Sequence, residues 1–413
     1  MDAFWIAYGV EWLNLVVRWL HVITGIAWIG ASFYFVWLDN TIRPPPPGSD
    51  LAARGVSGEL WAVHGGGFYN PQKYLIAPKT LPPHLHWFKW EAYSTWLSGV
   101  ALLTIVYYFN AQAMLIDRSV ADLSSLQAIA IGIASLVAAW AVYDGLCRSP
   151  LARRDGLFGI VVFLLLTAAA YGLSQWLSGR AAYIHVGAMI GTIMVGNVLM
   201  VIIPGQKKLV AAMRAGRAPD PIHGQRGKQR SVHNNYFTLP VLFIMIRNHY
   251  AMTYNHRHGW LVLAAIMAAG VLIRHFFNLR HRGIIDWRYP AAGTAVLIGV
   301  AVAIAPLPPA ARAAGSASTS NGAVAASVRF AAVHKVIDQR CVACHATQPM
   351  QPGFAAAPAG ILLDRPDAIV RHADKIYQQV VQLRAMPIGN LTGITEEERA
   401  VVAAWHDAGS PGP

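Results

Sequence analysis

Eight stretches of this chain are apolar over about the 20 residues that a helix needs to cross a bilayer: 12–38, 92–110, 126–147, 156–177, 181–203, 236–254, 259–278 and 288–306. The predicted fold is therefore all-α, a polytopic membrane bundle of eight spans over residues 1–306. Composition agrees, because a mean hydropathy of +0.39 with only 13% charged residues lies far from soluble domains, where about 25% is usual. The net charge of +13 falls on the bundle, since residues 324–413 hold 8 Lys and Arg against 8 Asp and Glu.

That charge is laid out with a period of two loops. The first, third, fifth and seventh connections carry 18 Lys and Arg, whereas the second, fourth and sixth carry four: Arg118, Arg180, Arg247 and Arg257. Basic loops stay in the cytoplasm, so eight spans put the N- and C-termini in the periplasm of a bacterial inner membrane. The opening "MDAFWIAYGVEW" lacks the basic leader and cleavage site of a signal peptide, and the first span is expected to insert in its place. The basic excess is accounted for by sidedness and by the lipid bilayer, and no nucleic-acid partner is expected.

Beyond the last span, residues 307–323 are rich in Pro, Ala, Gly and Ser and read as a flexible linker. Residues 324–413 read as a small helical domain with "RCVACH" at its front. The C-x-x-C-H spacing attaches haem covalently in c-type cytochromes: Cys341 and Cys344 take the thioether bonds and His345 is the proximal iron ligand. Met386 is the simplest sixth ligand, with Met350 as its competitor. A zinc site is the bland alternative. Thr395 and Glu398 form a predicted capping box, and Val401, Val402 and Trp405 offer an apolar face to Phe330 or Val333. Cys147 stands alone and reads as a packing residue.

Ionisable groups inside spans are functional candidates. His21 in the first span and His249 in the sixth fall at matched depth, each toward the periplasmic side, and are predicted candidates for the two axial ligands of a haem b. His185 lies nearer the periplasmic end of the fifth span and could serve a second cofactor; each of these histidines could instead be a hydrogen-bonded packing residue. Gly187 and Gly191 are spaced for close helix contact. The long first inward loop combines Gly65, Gly66 and Gly67 with Phe68, Tyr69, Trp87 and Phe88 and with His64, Lys73, Lys79, His84 and His86. It suits a flat anionic heterocycle approached closely by glycine backbone, or else a segment lying on the headgroups.

Three strings, "WLNLVVRWLHVITGIAWIGASFYFVWLDN", "GELWAVHGGGFYNPQKYLIAP" and "HNNYFTLPVLF", with "NHY" after the last, resemble the bacterial membrane-bound urate hydroxylases (urate oxidases), whose pattern is eight spans and a C-terminal cytochrome c domain. Arg247 departs from that pattern. The resemblance implies oxidation of urate to 5-hydroxyisourate, with electrons leaving through haem c to a soluble cytochrome c or terminal oxidase. His64, His249 and Lys73 are then the candidate catalytic residues, a histidine being the natural base near neutral pH. A quinol-oxidising membrane cytochrome and a permease with a redox-active tail are the alternatives.

Overall fold

The computed structural model describes residues 3–246, 250–305, 322–352, 354 and 356–413. Helices occupy all eight apolar runs: α1 (Ala3–Thr41), α2 (Trp90–Leu102, wound on as a wider turn through Leu103–Tyr108), α3 (Ser125–Arg148), α4 (Asp155–Ser174), α5 (Gly179–Arg214), α6 (Pro221–Ile246), α7 (Gly259–His281) and α8 (Arg288–Ala303). Among the described residues five are long and apolar enough to cross a membrane: α1 from Tyr8, α3, α4, α5 and α7. The eighth run gives a shorter apolar helix of 16 residues, and the sixth departs more. Its helix begins at Pro221, so the polar stretch "HGQRGKQRSVHNN" is helical where a loop was expected, because its polar groups find partners on neighbouring helices.

α5 is the centre of the bundle, with 61% of its most apolar stretch buried against 6% for α1. Val186, Ile190, Ile193 and Leu177 pack there with Phe158, Leu166, Leu263 and Met267. Facing away from this core, Trp19, Ile26, Leu126, Val137, Ile160 and Val302 are exposed, an outward apolar surface of the kind that meets lipid or a partner. Local starts follow from capping: Ser124 and Gln127 close a reciprocal capping box at the head of α3.

Of the two small residues expected at a close contact, one makes it. A Cβ on Gly187 would collide with Ile244 of α6, whereas one on Gly191 would meet nothing within 4 Å. Gly187→Ala is accordingly expected to cost about 1–3 kcal/mol by overpacking. Gly191→Ala should be neutral or slightly stabilising through helix propensity. Thermal denaturation of the purified protein in detergent measures both.

The first inward loop is ordered by two antiparallel strand pairs, β1 (Gly58–Glu59) with β4 (Gln72–Lys73) and β2 (Ala62–His64) with β3 (Gly67–Tyr69). Gly65 and Gly66 have φ of +57° and +80° and form the two-residue turn of the β2–β3 hairpin, where positive φ is required at both positions. Turn geometry, and not approach to a ligand, explains those glycines.

The tail begins at α9 (Gly322–Arg340), so Gly322 and Ala323 belong to a helix; the rest of the expected linker lies outside the described residues. α10 (Pro366–Arg371), the helical segment Ala373–Gln382 and α11 (Glu396–Asp407) follow it. Phe330, Val333 and Ile337 pack against Ile369, Val380, Val402 and Trp405, and Thr395 and Glu398 form the capping box of α11. The tail rests on the bundle. Gly389, at φ +56°, lies so close to the carbonyls of Ala113 and Ile116 that a Cβ would sit 2.8 Å and 2.5 Å from their oxygens, and Asn255 Nδ2 donates to the Leu383 carbonyl at 2.9 Å.

Candidate functional site

In the tail, Cys341, Cys344, His345 and Met386 line one narrow cleft, walled by Phe354, Pro358, Ile388 and Leu391 and, from the bundle, by Ala113. α9 ends just before the cysteines and the chain turns tightly, His345 N–H donating to the Cys341 carbonyl at 2.9 Å. His345 Nδ1 lies 2.9 Å from the Ile361 carbonyl. A carbonyl only accepts, so Nδ1 carries the proton and Nε2 keeps its lone pair, the state in which a histidine ligates iron. Met350, the competitor for the sixth position, is 81% exposed and does not line the cleft. Arg340 braces the rim through Glu398 at 2.9 Å and the Thr392 carbonyl.

The thiols are unlike those of a reactive dithiol. Burial, with Cys344 close by, pushes the Cys341 thiol up to about 12, and burial raises Cys344 as well. No group of three or more His, Cys, Asp or Glu among the described residues is arranged to hold a metal ion. The donors present, two cysteines, a proton-fixed histidine and a thioether, fit a covalently attached haem.

In the bundle, His21 Nδ1 lies 3.0 Å from both the Thr95 carbonyl and Ser98 Oγ of α2. It too is held as the Nδ1–H tautomer, and its ring covers Gly99, where a Cβ would come within 3.1 Å. His249 and Arg247 lie outside the described residues. His185 is wholly buried, with Nδ1 2.8 Å from the Ala181 carbonyl and Nε2 3.2 Å from the Tyr108 hydroxyl. Protein atoms engage both of its nitrogens, and a Cβ on Gly132 would collide with the ring.

On the inward loop His64 is exposed at the hairpin, and Lys73 forms an ion pair with Asp39 at the end of α1, which Lys228 joins at 3.5 Å. Burial, with Lys228 as a neighbour, lowers the Lys73 pKa. Phe88 packs edge-on against Phe35 of α1 at 4.7 Å. Phe68 and Tyr69 are exposed, and Lys79 donates to the Ala53 carbonyl. The loop's aromatic and basic groups are thus spread along it.

Sequence reasoning missed two polar clusters around α6. In one, Arg230 reaches Asp144 at 2.7 Å and Asn197 at 3.0 Å. Asn197 donates to the Tyr143 hydroxyl and to Asn234, and Tyr143 meets His233 Nδ1 at 2.8 Å. In the other, Asn235 Oδ1 accepts from Arg274 Nε at 3.1 Å and from Asn278 Nδ2 at 2.8 Å, and the Arg274 guanidinium lies 4.0 Å from the centre of the Phe33 ring. Adjacent residues on a helix point about 100° apart, so Asn234 and Asn235 serve opposite neighbours. Asn197 and Asn278, which lie inside apolar runs, were the available signal.

The family model described as urate oxidase N-terminal matches residues 7–305. The chain belongs to this urate oxidase family. The match covers the bundle and stops before the tail. Searches for curated relatives and for similar solved structures find no match. Membership points to urate-related oxidation and makes the chain an oxidoreductase by kinship.

Proposed function

We propose that the protein is a membrane-bound urate oxidase: an eight-span inner-membrane bundle oxidises urate, and a periplasmic cytochrome c tail (324–413), joined by a linker at 307–323, carries the electrons to a soluble cytochrome c or terminal oxidase. The observation that carries this reading is the joint cleft, in which Cys341, Cys344, His345 and Met386 meet against Ala113 of a bundle of urate oxidase kinship. Urate would take up one water and release two electrons and two protons to give 5-hydroxyisourate.

In the cleft, Cys341 and Cys344 would anchor a haem, and His345, its ring set by the Ile361 carbonyl, and Met386 would be its iron ligands. Such a group supplies a one-electron acceptor whose potential the Met386 thioether raises. In the bundle, the fixed tautomer of His21 supports the proposal that it ligates a haem b with His249. His185, hydrogen-bonded through both nitrogens, gains no such support. His64 is proposed as the proton acceptor at the substrate, with His249 in that role only if it does not ligate the haem, and Lys73, ion-paired with Asp39, as a cationic catalytic candidate.

Anaerobic, oxidised membranes given urate should show reduction of the c-type haem band, with 5-hydroxyisourate formed in a one-to-two ratio to electrons delivered. Reduction by quinol but not urate would replace this reading with a quinol-oxidising cytochrome. A pyridine haemochrome spectrum reports the ratio of haem b to haem c, and protease treatment of spheroplasts reports the side of the tail.

A further inference from the structure

Basic residues are scarce in the even-numbered connections, and two of the four, Arg180 and Arg257, converge. With Arg384 and Arg399 of the tail they line one cavity of about 640 Å³ between bundle and tail, within the roughly 300–1,000 Å³ of sites that take organic ligands. Two carboxylates, Asp117 and Glu396, share the lining. Glu396 accepts from Arg384 at 2.6 Å and lies 3.8 Å from Arg399, while Asp117 accepts from the hydroxyl and backbone N–H of Ser119. Arg180 donates to the Tyr254 hydroxyl at 2.8 Å. Four guanidiniums against two carboxylates leave an excess of positive charge, and it falls on the bundle side.

Position decides which anion suits it. The bundle wall is made by the end of α4 and the beginnings of α5 and α7, where the chain leaves and re-enters its apolar runs. Tyr171 of α4 and Trp260 of α7 both line the cavity and meet edge to face at 5.2 Å. Aromatic side chains of this kind settle at the headgroup level of a bilayer. Away from the cavity, Leu157, Ile160, Leu164 and Tyr171 are exposed and recur on one face of α4. They span about 21 Å at 1.5 Å per residue, more than half of the about 30 Å hydrocarbon core. A cationic hollow at the end of an exposed apolar strip matches an amphiphile better than a small soluble ion.

We propose that this cavity holds the headgroup of an anionic phospholipid of the periplasmic leaflet, with Arg180 and Arg257 on its phosphate and an acyl chain along the exposed face of α4. This rests on the membrane-bound reading above. A guanidinium fork matches two phosphate oxygens, and Asp117 accepts from the hydroxyls of a glycerol headgroup. The lipid fills the joint that Asn255 bridges to the Leu383 carbonyl, so it touches bundle and tail at once.

The test titrates phosphatidylglycerol, and separately phosphatidylcholine, into the full-length protein in a neutral detergent, following the melting temperature and the lipid retained in native mass spectrometry. Phosphatidylglycerol alone should raise the melting temperature and stay bound as a single adduct. Arg257→Gln and Arg180→Gln should each weaken its binding about 10-fold or more. Arg148→Gln, at the other end of the bundle on α3, should leave it unchanged and so separates a site from general attraction of anionic lipid. Equal effects of the two lipids, or unchanged affinity in both cavity variants, would overturn the proposal. Equal stabilisation by inorganic phosphate or urate without lipid would make the hollow a site for a small soluble anion and also overturn it. A protein that stays in solution without detergent fails at the membrane-bound reading instead.

Discussion

Replacing Cys341 and Cys344 together with alanine is expected, on the proposed haem attachment, to abolish a covalent haem band and to lower urate-driven electron flow by on the order of 1,000-fold or more, since the proposed path runs through that haem alone. The measurement is urate-dependent reduction of an added soluble cytochrome by purified protein. Phe330, Val333, Ile369, Val402 and Trp405 should keep the tail folded even though Cys341 and Met386 pack against that core, and far-ultraviolet circular dichroism of the variant checks it. Met386→Ala is the informative control. It leaves the thioether bonds and the haem content intact while lowering the potential, so electron flow falls without loss of the pigment. A double cysteine variant that still turned over urate at the wild-type rate would sever the tail from the reaction.

Asp144→Ala is expected to cost about 3–5 kcal/mol, because it leaves the guanidinium of Arg230 buried and uncompensated. The Arg230 side chain is 5% exposed and Asp144 receives it at 2.7 Å. Arg148 pairs with the same carboxylate but is 77% exposed, and Arg148→Ala should change stability by less than about 1 kcal/mol. Thermal denaturation in one detergent compares the two. Asp144→Leu combined with Arg230→Met should recover much of the loss, since a well-packed apolar pair often equals a buried ion pair. Were Asp144→Ala as mild as Arg148→Ala, the cluster would be wetter than its closed hydrogen bonding indicates.

Hydropathy made the bundle legible, for a span is a local property of about 20 residues. The C-x-x-C-H run was equally plain because its three groups are contiguous. What composition cannot carry is partnership across helices. The polar start of α6 reads as a loop until Asp144, Asn197 and Arg274, each far away in the chain, are seen to receive it. Gly65 and Gly66 looked like a ligand cradle because turn and cradle call for the same residue type. Gly187 and Gly191 were indistinguishable by spacing, and only the position of Ile244 separates them. His185 was singled out on the same physical ground as His21, yet Tyr108 occupies its second nitrogen. Arg274 carries no local mark of partnership, since its contacts depend on what α1 and α6 bring to it.

The joint at Gly389 has a kinetic corollary. A side chain at Gly389 would meet the carbonyls of Ala113 and Ile116, and a tail held in that seat would not be a swinging arm. Traffic between the two halves is then first order in the chain itself and indifferent to how thinly the protein is spread in lipid. Only the hand-over to a soluble acceptor should scale with concentration.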